Sequence, residues 1–126
     1  MTPPAEGRPR VLVIDDDLMV REMLQGFLMA SGIASDAAAC GREGLALLER
    51  ARYDLVITDL MMDDISGLEI VTAVRRDYEG TPIAILTALT PEEVGAQGVE
   101  VLTKPIALDA FRAAVARLLA SPHRAS

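Results

Sequence analysis

Four short apolar runs in this sequence each end on residues that can do chemistry. Val11-Leu12-Val13-Ile14 ends at Asp15-Asp16-Asp17, and Asp54-Leu55-Val56-Ile57-Thr58 ends at Asp59. Ile83 to Leu86 ends at Thr87, and Val99 to Thr103 ends at Lys104-Pro105. Three carboxylates brought together repel one another, and left alone at least one has its pKa raised. A divalent cation removes that conflict. With no imidazole or thiolate nearby, the donors are all oxygens, which selects Mg2+ or Mn2+. Lys104 adds a point cation and Thr87 a hydroxyl donor. A carboxylate nucleophile, a hard cation, a lysine and a hydroxyl are the parts needed to take up a phosphoryl group, each neutralising one of its oxygens.

That chemistry requires the run ends to meet. Runs apolar on both faces suit central parallel strands covered by helices. Between them lie helical patterns. Val20, Leu24, Phe27 and Leu28 place a helix over about 18–31, with Asp15 to Asp17 as cap and first-turn charge and Gly32 after its end. Ile33 to Ala38 reads as a strand weakened by its alanines. A helix follows over about 42–51, with Leu45, Leu48 and Ala51 inward, and another over about 67–78 with Leu68, Ile70, Val71 and Val74 as its apolar positions. Thr90-Pro91-Glu92-Glu93 is a capping box, yet Gly95 and Gly98 cut that helix to a turn or two. A last helix over about 107–120 carries Leu108, Phe111, Val115, Leu118 and Leu119 on one stripe. Strict strand–helix alternation predicts a three-layer α/β/α fold with a parallel sheet, and ligands then bind outside the carboxyl ends of the strands.

Composition narrows the function. At 126 residues the chain is one domain's worth. Its 51% hydrophobic and 25% charged content excludes a disordered chain. No apolar run approaches the ~18 residues of a membrane span. A net charge of −7 disfavours direct nucleic-acid binding, which wants a basic face. Cys40 is the lone cysteine and His123 the lone histidine, so a disulfide, a structural zinc site and histidine-assisted nucleophiles are all disfavoured. Residues 1–10 lack the apolar core of a signal peptide and read as a short flexible arm, residues 11–120 as the domain, and 121–126 as a tail. One free cysteine without export fits the cytoplasm.

Taken in register, these pieces resemble the receiver (CheY-like) domain of two-component response regulators. The resemblance runs from Val11 to about Leu119 and rests on five motifs in order: Asp15-Asp16, Asp59, Gly67, Thr87-Ala88 and Lys104-Pro105. It implies a flavodoxin-like five-stranded sheet of order 2-1-3-4-5. It implies that Asp59 accepts phosphate from a phosphohistidine on a sensor histidine kinase or a histidine phosphotransfer protein. Asp16 would ligate Mg2+ directly, Asp15 chiefly through water, and Met61 through its backbone carbonyl. Lys104 would pair with the phosphoryl group, and Thr87 would swing toward it. Such a module catalyses its own phosphorylation and sheds the phosphate slowly, but its product is a conformational state. It signals through a downstream protein or an output domain, as a monomer or a phosphorylation-dependent dimer.

The sequence also departs from the family pattern. A proline is usual four residues after the acceptor; here Asp63 stands there, followed by Asp64. These two acids either raise the local cation concentration or are solvated loop charges. The aromatic switch position three residues before the lysine is Val101, and the stretch from Thr87 to Lys104 is short. The usual coupled swing of threonine and aromatic ring is therefore unavailable in that form. Asp17 reads as a cap rather than a third site acid. Cys40 reads as incidental, Met19, Met23 and Met29 as core filling, and Met61 and Met62 as shields of the site. Arg50, Arg52, Arg75 and Arg76 complement helix dipoles, and the alanine-rich last helix packs on the sheet.

Other function classes compete. A haloacid-dehalogenase-type phosphatase also uses a strand-end aspartate with Mg2+ and a lysine, but Met61 replaces its second aspartate and no cap domain is expected. A receiver-like scaffold that never takes phosphate is disfavoured by the intact acidic pair, Asp59, Thr87 and Lys104. The chain is either a stand-alone receiver or the N-terminal receiver of a longer transcriptional regulator.

Overall fold

The computed structural model describes residues 8–96 and 98–120. Five strands alternate with five helices: β1 (Arg10–Ile14), α1 (Leu18–Ala30), β2 (Ala34–Ala38), α2 (Gly41–Arg50), β3 (Leu55–Asp59), α3 (Gly67–Asp77), β4 (Ile83–Thr87), α4 (Pro91–Val94), β5 (Glu100–Thr103) and α5 (Leu108–Ala120). All neighbouring strands pair in parallel, in the order β2-β1-β3-β4-β5. The tail expected over 121–126 and the arm up to residue 7 lie outside the described residues.

Side chains on a strand alternate between faces, so each apolar run feeds two cores. Val11, Val13, Leu55, Ile57, Ala84 and Leu86 pack with Leu24 and Leu28 of α1 and Phe111 and Val115 of α5. Leu12, Ile14, Val56, Ile83 and Ile85 pack with Leu48 of α2, Ile70 and Val74 of α3 and Val94 of α4. Trimming one fully buried member such as Ile57 to alanine removes packing on the order of 2–5 kcal/mol. Among the described residues no helix is long and apolar enough to cross a membrane.

Local signals set most boundaries. Asp17 caps α1, accepting the N–H groups of Met19 and Val20. Ser66 and Glu69 form a capping box on α3. Thr90 and Glu93 do the same on α4, which is one turn long because Gly95 takes a left-handed conformation at its end. β2 tolerates its alanines because it is an edge strand, and only Ala38 of it is buried.

Some expectations need correcting. Arg10 is not in the arm. It opens β1, donates its N–H to Asp54 at 2.9 Å and pairs with Asp36 at 3.0 Å. Met19 and Met29 of α1 are 77% and 73% exposed rather than core filling, and Met23 is exposed as well. Leu24 and Leu28 suffice to fill the buried stripe of that helix, which leaves the methionines on its outer side. Ala51 is exposed because α2 ends at Arg50, one residue before it. Leu68 and Leu108 sit in the first turns of α3 and α5 and are also exposed.

Candidate functional site

The carboxyl ends of the three central strands and of β5 converge on one acidic cluster. Asp15 follows β1 directly. Its N–H donates to the Ala38 carbonyl at 3.1 Å, and its carbonyl accepts the Arg21 guanidinium at 2.8 Å. Its Oδ1 accepts the Asp17 N–H at 2.9 Å. Asp16, beside it, is exposed. Asp59 is the last residue of β3, and its Oδ1 accepts the Leu60 N–H at 2.9 Å. One carboxylate oxygen from each of Asp15, Asp16 and Asp59 lies within 4.8 Å of the others.

Gly67 makes this geometry possible. The first residue of α3 donates its N–H to the Leu60 carbonyl at 2.7 Å. A Cβ at position 67 would lie 2.3 Å from the Asp59 carbonyl oxygen. Only glycine lets α3 start so close to the end of β3.

Lys104 reaches in from the end of β5. Its Nζ lies 3.1 Å from Asp15 Oδ2 and 3.5 Å from Asp59 Oδ1. The first contact is close but poorly directed, and Asp15 Oδ2 is buried without a well-aligned hydrogen bond. The register is tied by the Lys104 N–H, which donates to the Thr87 carbonyl at 2.7 Å. Burial pushes the Asp59 carboxyl above its ordinary range and Asp15 adds to this, while Lys104 and the Leu60 N–H offset part of it. Burial pulls on the Lys104 ammonium in the opposite sense, but its pairing with Asp15 and Asp59 outweighs that and holds its pKa up.

These residues fit a hard divalent cation. The donors are carboxylate oxygens, Asp15 Oδ2 lacks a directed partner among the described residues, and Asp59 carries an electrostatic strain that a cation would relieve.

Thr87 is buried at the end of β4, one residue past Leu86, the register partner of Asp59. Its hydroxyl accepts the Leu89 N–H at 3.3 Å. Met61 is 71% exposed, so its side chain does not cover the cluster, whereas Met62 packs on the second core. Val101 also packs there, as an aliphatic residue.

Sequence reasoning left Asp64 between two readings, and neither describes it. Asp64 accepts the N–H groups of Gly41 at 3.1 Å and Arg42 at 2.7 Å, capping α2 from the far loop. No local motif signals this, because the partners stand 23 and 22 residues away. Arg21, which holds the Asp15 carbonyl, was missed for a simpler reason: an exposed-face arginine on α1 looks like any other.

A parallel sheet carrying a metal-competent carboxylate cluster and a lysine at its carboxyl edge suits phosphoryl chemistry, and the family comparison fixes the class. Residues 11–116 match the family described as the response regulator receiver domain, and this chain belongs to it. It is therefore a receiver of two-component signalling. The chain is 36% identical to the probable transcriptional regulatory protein SilR of Salmonella typhimurium, over 87% of this chain and 50% of SilR. It is 38% identical to the transcriptional regulatory protein GlrR of Escherichia coli, over 83% of this chain and 25% of GlrR. The chain thus spans half or less of the length of these two relatives. Among solved structures, the chemotaxis response regulator CheY4 of Vibrio cholerae superposes with a TM-score of 0.81 at 35% identity, covering 88% of this chain and 98% of that one. The response regulator TrrA of Thermotoga maritima, in complex with Mg2+ and BeF, gives a TM-score of 0.81 at 33% identity, covering 87% of this chain and 98% of TrrA.

Proposed function

We propose that this receiver takes a phosphoryl group from a phosphohistidine of a sensor kinase or phosphotransfer protein onto Asp59. The observation that carries the reading is the meeting of Asp15, Asp16 and Asp59 within 4.8 Å, with Lys104 at 3.1 Å and 3.5 Å from two of them. A carboxylate oxygen of Asp59 bonds to phosphorus, the P–N bond breaks, and the imidazole leaves with its electron pair.

Each residue has a role in this reading. Asp15, Asp16, Asp59 and the Met61 carbonyl would hold Mg2+, with Mn2+ as an alternative, and the TrrA complex with Mg2+ and BeF supports that choice. The ion supplies charge neutralisation at the phosphoryl oxygens. Lys104 neutralises a further phosphoryl oxygen, leaving Asp15 for it. Thr87 turns its hydroxyl from the Leu89 N–H toward the phosphoryl group, so that its position reports the modification.

Because the match covers half or less of the regulators it resembles, the output passes to a further domain or a downstream protein by contact. The excess of acidic residues argues against direct nucleic-acid binding by this domain. The single cysteine is free, consistent with work in the cytoplasm. Mg2+-dependent labelling by a small phosphoryl donor, lost in Asp59→Asn, tests the reading.

A further inference from the structure

The loop that joins β3 to α3 is fastened at both ends. At one end Gly67 donates to the Leu60 carbonyl, and no side chain could fit between it and Asp59. At the other end the fastening runs to α2. That helix has Cys40 at its N-cap, which makes no side-chain cap bond. Its first two N–H groups, those of Gly41 and Arg42, go to the two oxygens of Asp64 at 3.1 Å and 2.7 Å. Asp64 Oδ1 also accepts the N–H of Ile65 at 2.7 Å, which stiffens the loop around the acid.

Packing reinforces the same joint. The space a Cβ would occupy at Gly41 is filled by the Ile65 side chain, whose Cγ1 would lie 2.2 Å away. The amides, led by that of Arg42, hold the Asp64 carboxyl down at about 2, so it is an anion throughout the working range. Between the two fastenings lies Met61, and Asp63, next to the capping acid, is exposed and has no such role.

We propose that Asp64 is a positioning residue for the metal: by capping α2 from the β3–α3 loop it fixes the backbone that carries Met61 beside the carboxylate cluster. The inference rests on the reading of that cluster as a Mg2+ site, and it adds α2 to the elements that set the affinity of the site. An outer partner that orients a ligand is worth roughly 10–100-fold in metal affinity. Asp64 reaches the cluster through the loop, so the low end of that range applies.

The test uses the full chain in calorimetric titrations with Mg2+ alone, comparing wild type, Asp64→Ala, Asp64→Asn and Asp63→Ala. Amide hydrogen exchange is followed in the metal-free protein. Asp64→Ala is expected to raise the Mg2+ Kd about 10-fold, and Asp64→Asn, which keeps one acceptor, to recover part of that. Asp63→Ala removes the same charge without the cap and is expected to change Kd less than about 3-fold. In metal-free Asp64→Ala the amides of Gly41, Arg42 and the loop should lose protection while those of β3 keep theirs. Irreversible loss of folded protein would lower the titration stoichiometry without moving Kd, and urea unfolding of the metal-free variant measures the folded fraction by which a reversible loss would raise it. An unchanged Kd in Asp64→Ala, or an equal rise in Asp63→Ala, would overturn the positioning role. A wild type that binds no Mg2+ would overturn the metal reading itself, and this inference with it.

Discussion

Lys104 stands closer to Asp15 than to Asp59: its Nζ is 3.1 Å from the first carboxylate and 3.5 Å from the second. The lysine therefore spends its charge on an almost fully buried acid whose Oδ2 has no directed hydrogen-bond partner among the described residues. The ammonium shares the neutralising role with any cation that enters the cluster. Replacing Lys104 with methionine should cost about 1–3 kcal/mol of stability in the presence of a chelator, because a buried acceptor is left unpaired. Mg2+ should recover most of that loss, and denaturant unfolding with and without the ion measures it.

Asp59 works against the fold. Burial first, and Asp15 second, raise its pKa in the native state. A carboxyl raised on folding costs stability wherever it is ionised, so the penalty is absent at acid pH and grows as pH rises through its titration. Asp59→Asn should therefore stabilise the metal-free protein at neutral pH by about 1 kcal/mol, the common scale of a single substitution. The asparagine oxygen can keep the Leu60 N–H bond. The gain should shrink as pH is lowered, and a gain that held constant across the titration would assign it to something other than charge.

Asp64 has the opposite sign. Its native pKa of about 2 lies below the ordinary carboxyl value of 3.8. Its contribution is complete above the ordinary value and is lost as pH falls from there to about 2. Loss of a capping acid costs about 0.5–2 kcal/mol. Asp64→Ala should show that deficit at pH 6 and close the gap with wild type as both are acidified toward pH 2, read by urea midpoints at each pH.

The fold was legible because three of its strands are apolar on both faces and end on marked residues. The β1, β3 and β4 runs announce a parallel sheet without help from tertiary context. The glycines at positions 95 and 98 announced the one-turn α4 in the same local way. What could not be read was anything settled across the chain. The cap that Asp64 places on α2, the pairing of Arg10 with Asp36 and the outward turn of Met19 and Met29 depend on partners 22 or more residues away or on which side of a helix is already filled.

Metal linkage offers a further check. Mg2+ would bind the native cluster, and the unfolded chain has no preformed site. Linkage then adds about 1.4 kcal/mol at roughly ten times Kd. A melting temperature that rises with Mg2+ in wild type, and does not in Asp16→Ala, is the expected pattern.

Lifetime depends on what can orient water at the acyl phosphate, and the resemblance to receivers implies that positions 61 and 89, each two residues beyond Asp59 or Thr87, flank its approach. Met61 is exposed, Leu89 is half-buried, and neither side chain can orient an attacking water. A water-orienting group is worth ~10²–10⁴-fold, so phospho-Asp59 should persist for minutes or longer in the purified protein. The double variant Met61→Asn, Leu89→Glu should shorten that lifetime at least about 10-fold. Decay within seconds in wild type would contradict this.

Phosphoryl acceptance at Asp59 depends, in this reading, on a divalent cation in the cluster around it. Its most direct test is intact mass after incubation with acetyl phosphate or phosphoramidate, on wild type and Asp59→Asn, with Mg2+ and with chelator. The expected result is one acid-labile phosphoryl group on wild type only, and only with Mg2+. A full mass shift in Asp59→Asn, or undiminished labelling of wild type in chelator, would contradict the account.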